Sequence, residues 1–110
     1  MDQQVIDVIN EAQNEARVAA QQFANKHLQA GDAYPCGFAW VTVHEKGSTK
    51  LGRALIKAGF SKAYGGGLQR WNPSGVHYQN VDVKEEGARA AAKVLTDKLG
   101  VKAYANSRLD

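Results

Sequence analysis

The stretch CGFAWVTVH at residues 36–44 is rich in aromatic and β-branched residues, the residue types that favour β-strands. Two-residue alternation puts one set of its side chains on each face of such a strand. One face holds Phe38, Trp40, Thr42 and His44, and the other holds Ala39, Val41 and Val43. Because both faces are mostly apolar, we predict a strand in the middle of a sheet.

A long amphipathic helix is predicted before this strand. Residues 2–30 contain neither Gly nor Pro, and their apolar residues recur at spacings of three and four. Gly31 follows at a natural C-cap position, and Pro35 lies beyond it. The middle of the helix is rich in alanine, whose small side chain lets another backbone come close. We therefore predict that this helix contributes to a homo-oligomer interface.

Further elements are predicted after the central strand. Residues 46–49 break the strand and offer hydroxyl caps to a short helix over residues 50–58, which Gly59 ends. The turn NPSG at residues 72–75 has Pro second and Gly fourth, so residues 68–71 and 76–80 are predicted as an antiparallel hairpin. Asp82, with Glu85 three residues on, predicts the N-cap of a helix that reaches Leu99. Residues 101–105 alternate again as a last strand.

This order predicts an α+β fold, with a long N-terminal helix and about four mostly antiparallel strands covered by helices on one face. We expect a single domain over residues 1–110, made of the helix at 1–30 and an α+β core at 36–110. A chain of 110 residues with 44% hydrophobic content can bury one modest core.

The sequence also predicts where the protein is found. Its longest uncharged run is far shorter than the roughly 20 apolar residues that cross a bilayer, and its first residues lack the pattern of a secretory signal. A single cysteine, Cys36, cannot close an internal disulfide. We therefore expect a cytoplasmic protein with no membrane partner.

Positive charge is concentrated in the second part of the chain. Residues 1–36 contain two basic and five acidic side chains, whereas residues 37–110 contain twelve basic and six acidic ones. The pI is about 9.1. This asymmetry indicates an anionic partner such as a nucleic acid, a nucleotide or another phosphate ester.

Catalytic and metal-binding patterns are weak in this sequence. Cys36, His44, His77 and Asp82 are residue types used in nucleophilic catalysis, but their spacing is not diagnostic. Cys36 stands at the entry of an apolar strand, where a buried, inert thiol is the usual outcome. No pair among the histidines and the cysteine has the short spacing of zinc ligands. We therefore predict no catalytic residue, no metal and no cofactor.

Two groups of residues are better suited to bind a nucleotide. The predicted start of the short helix offers backbone N–H groups, two hydroxyls and a lysine to a phosphate, at Ser48, Thr49 and Lys50. Elsewhere, arginine can neutralise phosphate, an aromatic ring can stack on a base and an amide can contact its polar edge. These roles are predicted for Arg53, Arg70 and Arg108 on phosphates, Trp71 or Tyr78 on the base, and Asn80 on the polar edge. We expect one of Trp40 and Trp71 to lie in the core, because a small domain needs large side chains inside, and the polar neighbours of Trp71 favour it for the site.

The layout of the whole chain resembles a known family. The N-terminal helix, the strand FAWV at residues 38–41, the glycine triplet at 65–67 and the closing Ala-rich helix resemble a phage Thoeris anti-defence sponge protein of the first kind. Members of that family are compact α+β oligomers that sequester cyclic ADP-ribose-type signals without degrading them. The resemblance implies a nucleotide second messenger as ligand, a non-enzymatic mode of action and the cytoplasm of the host cell as location.

Two other functions stay open at this point. The basic second part suits a small phage or bacterial protein that binds nucleic acid or inhibits a host protein. Neutralising several backbone phosphates would make the affinity fall steeply with added salt. A structural or assembly role for the long helix would need no small ligand.

Overall fold

A computed structural model describes residues 3–27, 37–63, 65–75 and 81–109 of the chain. In chain order the elements are α1 (Gln3–His27), β1 (Gly37–Val43), α2 (Lys50–Lys57), β2 (Ser61–Lys62), β3 (Leu68–Trp71), α3 (Val81–Leu99) and β4 (Ala103–Leu109). The strands form one antiparallel sheet in the order β2-β3-β1-β4. The predicted α+β class, with its long N-terminal helix and four antiparallel strands, is confirmed.

The two faces of the sheet have different surroundings. On one face, Ala39, Val41 and Val43 are almost completely buried, and the two valines share a core cluster with Leu68 of β3. Ile9 of α1, Leu55 of α2 and Leu95 of α3 belong to the same cluster. This face is therefore the helical side of the sheet.

We call the opposite side the open face. The strand registers place the following residues on it: Phe38, Trp40 and Thr42 of β1, Ser61 of β2, Gln69 and Trp71 of β3, and Tyr104, Asn106 and Arg108 of β4. None of them belongs to the hydrophobic core clusters. The prediction that one of the two tryptophans lies in the core is therefore wrong, because the helices cover the other face of the sheet.

Helix α1 packs along α3 through small residues. Ala12, Ala16, Ala20 and Ala24 recur every four residues on one side of α1 and are all buried. On α3, a Cβ added to Gly87 would lie 3.1 Å from the backbone oxygen of Ala16. The alanine face predicted to contact another subunit is therefore used within the chain, because its small side chains admit α3. Homo-oligomerisation itself stays a prediction.

The predicted hairpin has other partners in the structure. β3 lies between β1 and β2, and the predicted second arm at residues 76–80 lies outside the described residues. The intervening turn is present, since the Gly75 N–H donates to the Asn72 carbonyl oxygen at 3.0 Å. The first arm thus pairs with strands from elsewhere in the chain.

Two element limits also differ from the predictions. α3 begins at Val81, so Asp82 lies in its first turn and is not its N-cap; a negative charge there still favours the helix dipole. The last strand runs from Ala103 to Leu109, beyond the predicted end at residue 105. Asn106, Ser107 and Arg108 therefore belong to the sheet, because each faces a residue of β1 in the register. The predicted C-cap of α1 at Gly31 lies outside the described residues.

Candidate functional site

The sequence predicts a shared site for Arg70 and Trp71, but they lie on opposite faces of the sheet. Consecutive residues of a strand point to opposite sides, and the register pairs Arg70 with buried Val41 and Trp71 with Trp40. Arg70 therefore lies on the helical side, where its Nη1 donates to the carbonyl oxygen of Ala58 at 2.9 Å. Its guanidinium holds the C-terminal end of α2 and cannot contact a ligand stacked on Trp71.

The other predicted ligand-binding residues are divided between the two sides. Arg53 is exposed on α2, which packs on the helical side. Arg108 lies on the open face, with Phe38 as its register partner. Tyr78 and Asn80 lie outside the described residues. The structure thus brings Trp71 and Arg108 to one face and separates them from Arg53 and Arg70.

The predicted phosphate-binding residues do stand at the start of α2, but the hydroxyl of Thr49 is already engaged. Its Oγ1 accepts from the Gly52 N–H at 2.9 Å and lies 2.6 Å from Glu45 Oε2, to which it donates. Glu45 therefore places a carboxylate beside the N-terminus where a phosphate was predicted, and two anions repel one another. Ser48 and Lys50 are exposed. An open hollow of about 480 Å³ lies here, lined by His44, Glu45, Lys46, Thr49 and Gly67.

The open face carries an aromatic cluster formed by Phe38, Trp40 and Trp71. The rings of Trp40 and Trp71 lie 4.5 Å apart between centroids, with their planes inclined by 31°. Phe38 stands edge-on to Trp71, with a centroid distance of 6.1 Å and an interplanar angle of 77°. Trp71 is 44% exposed, whereas Trp40 is less exposed and has intermediate burial. Trp40 therefore supports Trp71, which keeps part of its surface open to a ligand.

Two cations lie beside this aromatic cluster. The guanidinium of Arg108 and the ammonium group of Lys84 are each 5.5 Å from the centroid of the Phe38 ring. Lys84 reaches the ring from α3 and also donates to the carbonyl oxygen of Gly37 at 3.1 Å, which fixes its position. None of the open-face residues is acidic. The open face therefore combines exposed aromatic surface with positive charge.

Polar groups continue the open face toward the other end of β1. Asn106 Nδ2 donates to Thr42 Oγ1 at 2.8 Å, and His44 Nε2 lies 2.7 Å from the hydroxyl of Tyr104. The chain advances by roughly 20 Å between Phe38 and His44, the residue directly after β1, at about 3.3 Å per residue. A face of this length can contact several consecutive nucleotides as well as a single base.

Comparisons with known proteins were made at three levels. No protein-family model, no curated protein and no solved structure matches the chain. Within the described residues, no helix has both the length and the apolar character needed to cross a bilayer. Nor do these residues bring three or more His, Cys, Asp or Glu side chains together in a group that could hold a metal ion.

Three residues of this face or its rim are not predicted as site residues by the sequence patterns: Phe38, Trp40 and Lys84. Alternation in residues 36–44 does group Phe38 with Trp40, but it does not show which face of the strand the helices leave open. Lys84 is far from Phe38 in the sequence and meets it only through tertiary packing, so no local signal could have found that contact.

Proposed function

We propose that this protein binds nucleotide-type ligands on the open face and holds them without chemical change. The observation that carries the proposal is the half-exposed ring of Trp71, backed by Trp40 and close to the cations beside Phe38. A flat base can stack on the free surface of the indole. A phosphate group of the same ligand can pair with the guanidinium of Arg108 through charge-assisted hydrogen bonds.

Sequestration of a cyclic ADP-ribose-like signal in phage counter-defence is the specific form of this function. Its support is the resemblance of the chain's layout to the Thoeris anti-defence sponge family. A ligand of that class offers an adenine ring to Trp71 and a pyrophosphate to Arg108 and Lys84. In this role the protein lowers the concentration of free signal and needs no catalytic group.

The openness of the face favours a second candidate, the binding of single-stranded nucleic acid. Proteins that bind single strands combine aromatic stacking surfaces with positive charge along an open surface. The open face has both features near Phe38, and polar side chains with hydrogen-bonding groups continue from there along β1. In this second role several successive bases contact the sheet in place of one.

The test is a titration of tryptophan fluorescence with ADP-ribose, cyclic ADP-ribose and a short single-stranded oligonucleotide. Trp71→Ala should weaken binding by roughly 5- to 150-fold, since stacking of one base contributes about 1–3 kcal/mol. Binding by this variant is followed by calorimetry, and circular dichroism confirms that it is folded. Unchanged affinity in the folded variant would contradict the proposal.

Two arginine variants supply a matched control for the cationic part of the site. Arg108→Ala and Arg53→Ala each remove one exposed guanidinium, but only Arg108 lies on the open face. Arg108→Ala should weaken binding about tenfold, in line with the loss of one charge-assisted hydrogen bond. Arg53→Ala should leave the affinity unchanged. Equal losses in the two variants would point to a general charge effect and against this site.

Salt dependence separates the two candidates. Recovery of the ligand after denaturation tests whether the protein changes it chemically. An oligonucleotide that contacts several phosphates should lose affinity steeply with added salt, whereas a single nucleotide should show a shallower slope. After heat denaturation of the complex, mass spectrometry should find the ligand intact. Recovery of a converted product would show that the protein is an enzyme.

A further inference from the structure

Strand β4 forms one edge of the sheet and is seven residues long, as long as the central strand β1. In the part of the chain that the structure describes, no strand pairs with its outer side. A long edge strand presents a row of unpaired backbone groups, which can bond to a strand of another chain. β4 carries one charged residue, Arg108, and ends at Leu109, which is 65% exposed.

The register identifies which backbone groups face outward. The His44 N–H donates to the Lys102 carbonyl oxygen at 2.8 Å, and these residues lie opposite one another by continuation of the pairing between Val43 and Ala103. Hydrogen-bonded pairs alternate along an antiparallel ladder. Tyr104, Asn106 and Arg108 therefore direct their backbone groups toward β1. Ala103, Ala105, Ser107 and Leu109 direct theirs to the outside.

This arrangement is complementary to itself. If two copies of β4 run antiparallel with Asn106 facing Asn106, all seven residues of each strand are paired. Tyr104 then faces Arg108 of the second copy, and a guanidinium beside a phenol ring is a favourable cross-strand pair. Leu109 faces Ala103 of the second copy, so exposed apolar surface is covered, and no like charges stand opposite one another.

We propose that two copies of this chain pair through the outer edges of β4, forming one antiparallel sheet of eight strands. The two-fold axis of such a pair is perpendicular to the sheet, so both open faces lie on the same side. Arg108 of each copy then lies next to Tyr104 of the other, and the two nucleotide sites of the proposed function share one surface. The pairing itself needs no ligand, and its test is therefore independent of ligand binding.

The experiment measures the mass of the ligand-free protein by light scattering at several concentrations. The wild type should reach twice the monomer mass of 11.9 kDa. Tyr104→Lys puts a like charge opposite Arg108 of the second copy and should give a monomer at the same concentrations. Tyr104→Glu should keep the dimer, because its carboxylate faces the same guanidinium. The two variants are matched controls, since both lose the contact between Tyr104 and His44.

Amide hydrogen exchange supplies a second measurement that does not depend on a variant. In the dimer, the outward N–H groups of Ala105 and Ser107 should exchange slowly, as do those of Tyr104 and Asn106 that bond to β1. A monomeric wild type at every concentration would overturn the proposal, as would equal masses for the two Tyr104 variants. Fast exchange at Ala105 and Ser107 in a dimer would also overturn it, because the contact would then lie elsewhere.

Discussion

The hydroxyl of Thr49 joins the loop after β1 to the first turn of α2. It accepts a hydrogen bond from the Gly52 N–H, one of the N–H groups that have no partner within the helix, and it donates to Glu45. Thr49 itself has an extended backbone, with φ −74° and ψ 164°, as an N-cap residue requires. One side chain therefore fixes both the start of the helix and the position of a carboxylate.

Thr49→Ala removes this cap and should lower the free energy of unfolding by about 1 kcal/mol. Thr49→Ser keeps the hydroxyl and should stay close to the wild type. Urea titrations followed by circular dichroism give the free energy for both variants. An alanine variant as stable as the wild type, or a serine variant as unstable as the alanine variant, would show that the hydrogen bond contributes little.

Residue type alone does not reveal on which side of a strand a side chain lies. Arg70 and Trp71 are both suitable for a nucleotide site, but the pairing of Arg70 with Val41 turns its side chain toward α2. That register depends on how β1 and β3 meet, which no local pattern in the sequence encodes. The cap at Thr49, in contrast, depends on a few neighbouring residues, and the sequence predicts it correctly.

At the scale of elements, the contact between α1 and α3 depends on residues with small side chains or none. A Cβ at Gly87 would lie 2.8 Å from the Cβ of Ser74 and 3.1 Å from the oxygen of Ala16, both closer than side chains normally pack. Ala16 itself is fully buried. The two helices and the turn before α3 therefore meet at a point where no further atom fits.

Gly87→Ala should lower the free energy of unfolding by about 1–3 kcal/mol, the usual cost of overpacking. This sign is informative, because alanine in place of glycine within an unconstrained helix would stabilise it by about 1 kcal/mol. Adding Ser74→Gly to this variant should recover part of the lost stability, since it removes the closest atom. The Ser74→Gly single variant is measured as well, which completes a double-mutant cycle. A Gly87→Ala protein more stable than the wild type would contradict the close packing.

Elements with a clear period or a capping signal are predicted well from this sequence. α2 is framed by Thr49 and Gly59, and its observed limits differ from the predicted ones by a single residue. β2 has only two residues, Ser61 and Lys62, which are too few for any period to be visible. The alanines of α1 predict close packing correctly, but not that the partner is α3 of the same chain.

At the scale of the whole molecule, one core cluster joins all three described helices to β1 and β3. Ile9 of α1 is part of it and is 1% exposed. α1 is thus integrated into the fold and is not an appended arm. A shared core of this kind favours cooperative unfolding of the helices and the sheet.

We expect the helices and the open face to unfold together in urea. Far-ultraviolet circular dichroism reports mainly on the helices, and tryptophan fluorescence reports on Trp40 and Trp71. The two signals should give the same midpoint at a fixed protein concentration. Ile9→Ala should shift both midpoints together, with a loss of about 2–5 kcal/mol for the cavity it leaves. An earlier transition in the helical signal alone would show that α1 unfolds independently.

The long helix also governs how the molecule rotates in solution. α1 has 25 residues, which gives a length of about 37 Å at 1.5 Å per residue. The molecule measures 45 × 27 × 19 Å, so only its longest dimension can accommodate this helix. Helical N–H bonds run nearly parallel to the helix axis, and such bonds sense the slow end-over-end tumbling of an elongated body. In a single copy of the chain, such as the monomer expected for Tyr104→Lys, the ratio of transverse to longitudinal ¹⁵N relaxation rates will therefore be higher along α1 than for N–H bonds that lie across that axis.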